Sequence, residues 1–304
     1  MKKFKVAVPS GIGDFSWMWV KLSTIKDAEF EFFVPDAWPY RTKQYIDLLP
    51  GAKGSLGQHN YNDIKVWEMR HRAPNWEKLV KTYDEGDFIY LQANEHLGRG
   101  LPLVDWMPDL EANFHYFLPE TVSRFKLPRH CIGVHFAAIK GIRNWKAWMP
   151  ETWAEFMTLV SKSFPDVTFV MLGGIWDLDS AQEVKGLLPE YVKYIDLVGK
   201  TTISEVIKIL RDIEYYIGYS SGLNCMRNVL NKPQTTLWPA HQIELMYSWV
   251  DPENIHSRDY MGFTYDAPDR IFTRVKNKLK EVMNAKPTRE CVKQPERECG
   301  ALQR

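Results

Sequence analysis

The sequence predicts an α/β fold built from two doubly wound domains, each on a parallel sheet. Three observations carry that prediction. The chain has 304 residues, enough for two domains at ~150 residues each. Strand-length apolar runs alternate with amphipathic runs of helical length, the order of a βαβ protein. Several strand-like runs also end in glycine- or serine-rich turns that open a helix, which is where open parallel sheets place their ligands.

The elements follow in order. Residues 4–9 read as a first buried strand closed by Pro9-Ser10-Gly11. Residues 31–34 read as a second, stopped by Pro35-Asp36, and 88–91 as a third. Residues 101–128 hold four prolines and no regular pattern, which predicts loops. Residues 131–136 read as a strand. Pro150-Glu151-Thr152 opens a helix with Trp153, Phe156, Met157 and Val160 at i, i+3, i+4 and i+7, one apolar face. Residues 167–172 form a strand ending in Gly173-Gly174, and 194–198 a short strand ending in Gly199-Lys200. Thr202-Ile203-Ser204-Glu205 has the T-x-x-E pattern of a capping box, and Ile203, Val206, Ile207 and Leu210 share the face behind it. A strand at 215–219 runs through Ser220-Ser221-Gly222 into a helix that reaches Leu230, and 234–238 is the next strand. A last helix over 268–283 carries Ile271, Val275, Leu279 and Val282 on one face. Residues 285–304 lack periodicity and read as a mobile tail. The expected boundaries are 1–129 and 130–266 for the two domains, a helix at 267–284 packing back on the first domain, and the tail.

Composition excludes several classes. Lys and Arg number 39 against 38 Asp and Glu, a net charge of +1, which argues against a strongly basic nucleic-acid binder. No run approaches the ~20 apolar residues of a membrane span. The apolar run at the N-terminus is too short for a signal-peptide core. Cys131, Cys225, Cys291 and Cys299 form no CxxC pair and no zinc spacing. A cytoplasmic protein is expected, in solution or at the inner face of a membrane. The 12 tryptophans are numerous; such rings serve core packing or flat ligands such as sugars. Trp148 and Trp153 fit the core, whereas Trp17, Trp19 and Trp176 fall near candidate site residues.

Four places could carry chemistry. Gly11-Ile12-Gly13-Asp14 follows the first strand, and its glycines allow a tight turn and close approach to a ligand. Ser16 at the third glycine position breaks the dinucleotide fingerprint. Asp14, at the carboxyl end of a parallel strand, could deprotonate a hydroxyl, although spacing alone favours a helix cap. Ser220-Ser221-Gly222-Leu223 could bind phosphate through helix N–H groups, or be an ordinary cap. Lys140, Arg143 and Lys146, beside Trp145 and Trp148, could clamp a diphosphate, or be a solvated loop. Asp177, after Gly173-Gly174, could take ribose hydroxyls, or start a helix. His135 reads as core or crevice lining, and no Ser-His-Asp ordering occurs.

Together these segments resemble glycosyltransferase family 9, the heptosyltransferases. Gly11-Ile12-Gly13-Asp14 is similar to the family's N-terminal G-x-G-D turn. Lys146-Ala147-Trp148-Met149-Pro150-Glu151-Thr152-Trp153 is similar to its K-x-W-P…W segment, with Met149 inserted before the proline. Leu172-Gly173-Gly174 with Asp177 resembles the strand and acidic position that follow. Asp196-Leu197-Val198-Gly199-Lys200-Thr201-Thr202-Ile203, then Ile217-Gly218-Tyr219-Ser220-Ser221-Gly222-Leu223, resemble its L-x-G-K-T-S-L and D-[ST]-G pair. The resemblance implies two Rossmann-like domains facing a cleft, the GT-B arrangement, with the first on the acceptor side and the second holding a nucleotide sugar. It implies inverting transfer from a nucleoside-diphosphate sugar to a hydroxyl, without a cofactor or bound metal. Asp14 would then be the base and Lys146 would hold the donor diphosphate. Ser221, Gly222 and Leu223, with Ser220 beside them, would hold phosphate, and Asp177 would reach the ribose.

Two positions depart from the pattern. Ser220 replaces the Asp of D-[ST]-G, and Cys225 the His that follows it. The donor's nucleotide and sugar are therefore not assigned. Two other readings stand beside transfer: a nucleotide-sugar-binding protein without turnover, and a GT-B epimerase or hydrolase. The expected acceptor is a glycan or another hydroxyl compound. A modified nucleic-acid base is the remaining option, and the balance of 17 Lys and Arg against 17 Asp and Glu up to His130 does not support it.

Overall fold

The computed structural model describes residues 2–9, 11–34, 39–57, 89–91, 93, 96–97, 101–136, 148–238, 259–263 and 266–284. The first half builds a four-stranded sheet in the order β3-β2-β1-β4. Its strands are β1 (Lys2–Ala7), β2 (Ala28–Val34), β3 (Ala52–Leu56) and β4 (Ile89–Tyr90), all parallel. Helix α1 (Ile12–Leu22) links β1 to β2, and α2 (Pro39–Ile46) links β2 to β3. Strand β2 alternates, burying Phe30, Phe32 and Val34 on one face. Onto that face α1 lays Phe15 and Trp19, each edge-on to Phe32 at 4.9 and 5.7 Å between ring centroids. Trp19 is thus a core residue and not a cleft residue, because the helical repeat turns it onto the sheet.

The second half is a six-stranded parallel sheet in the order β10-β9-β8-β5-β6-β7. In chain order it runs β5 (Cys131–His135), α3 (Pro150–Ser163), β6 (Thr168–Met171), α4 (Leu178–Leu187), β7 (Lys193–Asp196) and α5 (Ile203–Asp212). Then come β8 (Tyr215–Tyr219), α6 (Gly222–Val229), β9 (Gln234–Trp238), β10 (Asp259–Phe263) and α7 (Pro268–Asn284). Strand β5 pairs with β6 on one side and β8 on the other. The winding direction reverses there, which opens a crevice beyond the carboxyl ends of these strands. Every residue of β5, β6, β8 and β9 is buried, as expected of strands covered on both faces. The capping box forms: Thr202 Oγ1 accepts from the Glu205 N–H at 3.3 Å, and the Glu205 carboxylate accepts from the Thr202 N–H at 2.9 Å.

The expected return of the 267–284 helix to the first domain is corrected. Helix α7 buries Ile271, Val275, Leu279 and Met283 in the core of the second half, against α3. The i, i+4 spacing of these residues makes one stripe, and α3 supplies the apolar surface that stripe needs. Strand 194–198 also shifts to Lys193–Asp196, because the Asp196 carboxylate accepts from the Val198 N–H and turns the chain. Between the halves, 101–128 is irregular apart from a 3-10 turn at Leu103–Asp105, and it is tied down at both ends. The buried Lys21 ammonium of α1 donates to the carbonyls of Val104 and Leu110, both at 2.8 Å. Arg211 of α5 donates to the carbonyls of Leu118 and Pro119 and to Glu120. One apolar core continues from Phe4 and Phe32 through α1 and α6 to Leu172 and Ile207. Among the described residues no helix is long and apolar enough to cross a membrane. The tail 285–304 lies outside the described residues.

Candidate active site

The first half contributes the start of α1. The helix begins at Ile12, so Gly13 and Asp14 lie in its first turn, and Gly11 is the N-cap with no side-chain cap. Asp14 is therefore not the cap that its spacing allowed. Its carboxylate folds back over Gly11, where an added Cβ would lie only 2.5 Å from Oδ2. A side chain at 11 would displace that carboxylate from where it lies. Burial pushes the Asp14 carboxyl up to about 6, against the helix N-terminus, which favours the anion. A carboxyl poised there changes protonation close to neutrality, as a general base requires.

The second half contributes the start of α6. Strand β8 delivers Ser220 to the crevice, and Ser221 is the extended N-cap. No side chain caps the helix, and its first-turn carbonyl bond is from the Cys225 N–H to the Ser221 oxygen at 3.1 Å. The amides of Gly222, Leu223 and Asn224 therefore stand at a positive helix end, the geometry that binds phosphate. Asn224 anchors the turn: its buried amide donates to Thr236 Oγ1 of β9 at 2.9 Å.

These two starts meet. A Cβ on Gly222 would lie 3.0 Å from Ile12 Cβ. A Cβ on Gly13 would lie 4.0 Å from the Gly222 nitrogen and 3.5 Å from Cys225 Sγ. The carboxylate turn of one half thus abuts the uncapped helix of the other, and the absence of side chains at both glycines permits the approach. Cys225 is buried at this junction. Nearby, the hydroxyls of Tyr45 and Tyr116 are 2.7 Å apart and buried, and burial raises both well above the ordinary tyrosine range. Both therefore stay neutral at physiological pH.

Asp177 is buried in the turn after β6, where it starts α4 as its N-cap residue, the helix-start position its spacing allowed. Its Oδ2 accepts from the Gly174 N–H at 2.8 Å and stands 3.4 Å from His135 Nε2. The structure thus brings Asp177 to the crevice floor with His135. Lys140, Arg143, Trp145 and Lys146 lie outside the described residues. Trp148 and Trp153 are core: the Trp148 indole donates to the Asp266 carbonyl and that of Trp153 to the Tyr219 hydroxyl. Trp17 packs partly buried on the core.

Nothing in the spacing marks Arg41. Helix α2 carries its guanidinium to 4.3 Å from the Trp176 ring centroid, joining the two halves at the crevice. The one cue in the sequence is its place soon after the Val34-Pro35-Asp36 strand end. Among the described residues no cluster of three or more His, Cys, Asp or Glu side chains is placed to hold a metal ion.

The family model described as glycosyltransferase family 9 (heptosyltransferase) matches residues 61–262. The chain is similar in structure to the E. coli ADP-heptose LPS heptosyltransferase II, with 15% identity, a TM-score of 0.62, and coverage of 92% of this chain and 99% of that one. It is similar to a family 9 glycosyl transferase from Veillonella parvula DSM 2008, at 11% identity and a TM-score of 0.64, covering 92% and 98%. It is also similar to E. coli heptosyltransferase WaaC with ADP, at 13% identity and a TM-score of 0.56, covering 92% and 99%. At such identities the likeness is one of fold, the GT-B arrangement. No curated protein sequence matches the chain.

Proposed function

Because the chain belongs to glycosyltransferase family 9, we propose that it moves a sugar from a nucleoside-diphosphate donor to an acceptor hydroxyl, in one inverting displacement with Asp14 as base. The observation that carries this reading is the contact of Gly13 with Gly222, which sets a near-neutral carboxyl beside an uncapped helix start.

The roles follow from that geometry. The donor's phosphate lies on the amides of Gly222 and Leu223, with the hydroxyls of Ser220 and Ser221 as further donors. Asp14 takes the proton of the acceptor hydroxyl as its oxygen attacks the sugar's anomeric carbon. The bond from that carbon to the diphosphate breaks, and the electron pair leaves on the diphosphate. The helix start offsets the negative charge gained there, and Lys146 adds a cation, so no metal is needed. Asp177 binds donor hydroxyls from the crevice floor. The acceptor, a glycan or another hydroxyl compound, approaches from the first half, in the cytoplasm or at the inner face of a membrane.

The test is release of nucleoside diphosphate from a panel of nucleotide sugars, ADP- and UDP-linked first, with and without glycan acceptors. Acceptor-dependent release is expected, and Asp14→Asn should lower it by ~10²-fold or more. Release from Asp14→Asn equal to wild type would remove Asp14 as the base. A free, altered sugar formed without acceptor would point to epimerase or hydrolase chemistry instead.

A further inference from the structure

We propose that Arg41, supplied by α2 of the first half, binds the donor's diphosphate, with Trp176 of the second half as the platform that holds it in place. The proposal rests on the glycosyl-transfer reading above and adds to it a residue from the opposite half.

Geometry carries it. The guanidinium lies 4.3 Å from the Trp176 ring centroid. It also reaches the turn that ends β6: a Cβ on Gly174 would lie 2.8 Å from Arg41 Nη1 and 2.5 Å from the Trp176 ring. Glycine at 174 thus lets a cation from one half rest on the backbone of the other. Asp177 is the next neighbour and acts electrostatically on both Arg41 and Tyr216. Asp177 Oδ2 stands 3.4 Å from His135 Nε2, and a Cβ on Gly218, two residues before Ser220, would lie 2.9 Å from His135 Cβ. These neighbours lead from Arg41 to the proposed phosphate position.

The chemistry fits a diphosphate. A guanidinium is a flat fork that binds two phosphate oxygens at once and stacks on aromatic rings, which lysine does not do. Stacking on Trp176 fixes the plane of the fork before the ligand arrives. Asp177 acts on that charge without forming an ion pair with it. Its Oδ2 is held by the Gly174 N–H and faces His135, and among the described residues no carboxylate comes within ion-pair distance of Arg41. A departing diphosphate gains charge as its bond to the sugar breaks, so a cation here acts on the transition state as well as on binding. Because Arg41 comes from the first half, full donor affinity requires both halves.

The experiment is calorimetric titration of the full chain with ADP and UDP, and in parallel with adenosine and uridine. Arg41→Ala should weaken the diphosphate by about tenfold or more, with nucleoside affinity and thermal midpoint near wild type. Arg41→Lys should restore part of the loss, and Trp176→Leu should give an intermediate one. Unchanged diphosphate affinity in Arg41→Ala overturns the proposal, as does an equal loss of nucleoside and diphosphate, which is the signature of a structural role. A raised acceptor KM with unchanged diphosphate affinity would also overturn it, placing Arg41 on the acceptor. A wild-type chain that binds neither diphosphate would fail the glycosyl-transfer reading itself, and this proposal with it.

Discussion

Asp14 is under two opposed influences. The positive end of α1 favours its anion, and burial disfavours it more strongly, so the carboxyl rises to about 6. The folded chain therefore holds this proton more tightly than the unfolded chain does. The stability tied to it is complete below the ordinary value of 3.8 and is lost as pH rises through about 6. The ionised carboxylate then weakens the fold by up to about 3 kcal/mol, at 1.36 kcal/mol per pKa unit. Asp14→Asn should accordingly raise the thermal midpoint at pH 8 and leave it nearly unchanged at pH 4, while transfer falls. In the wild type, kcat/KM should climb with pH through a value near 6, and that limb should vanish in the variant. A limb near pH 4 would deny Asp14 its raised pKa. Asp14 stands out in the sequence because a carboxylate follows a glycine turn at a strand end. Arg227 does not. It is fully buried, lowered to about 9 by desolvation, and donates to the carbonyls of Leu210, Ile213, Glu214 and Pro233. Its partners come from separate turns of the chain, so no local pattern announces it.

Among the elements, those with a strong apolar period are legible and those without are not. Helix α5 announces itself through Thr202-x-x-Glu205 and the Ile203, Val206, Ile207 and Leu210 face. Strands β5, β6, β8 and β9 announce themselves as short apolar runs ended by turn residues. Helix α2, with the sequence PYRTKQYI, and strand β3, AKGSL, carry too little apolar surface to stand out. Helix α4 buries only Ser180, Ala181 and Val184, which are small. Strand β10, DYMGF, has no clean alternation. For these elements neighbouring layers decide the structure, since intrinsic propensity is a weak prior. The start of α6 makes the element-scale prediction. A valine at Gly222 would press its Cβ to 3.0 Å from Ile12 Cβ and add two methyls beyond it. Gly222→Val should force the two helix starts apart and weaken ADP or UDP binding by about tenfold, since one well-placed charged hydrogen bond is worth that much. Calorimetry checks the affinity, and circular dichroism should show the helices retained.

At the scale of the whole molecule, two sheets share a core and the irregular strap at 101–128. Lys21 is the strap's anchor on the first half. The residue is 2% exposed, and its ammonium donates to two carbonyls of the strap while lying in reach of Asp105 and Asp109. Lys21→Met keeps the packing of the stem and removes the donor. It should cost about 2 kcal/mol or more, the penalty of leaving buried carbonyls unpaired, read by urea denaturation. An unchanged midpoint would show that the strap is not held there. The α/β class, the strand-to-helix turns and the family resemblance are all legible in the order of residues. All of these are local patterns: period, spacing and turn chemistry act within a dozen residues. That Gly13 meets Gly222, that Arg41 lies on Trp176, that Trp19 is core and that α7 packs on α3 is visible only in the folded chain. Those contacts join residues distant along the chain. They arise when apolar faces are buried together, which composition and spacing do not encode pair by pair.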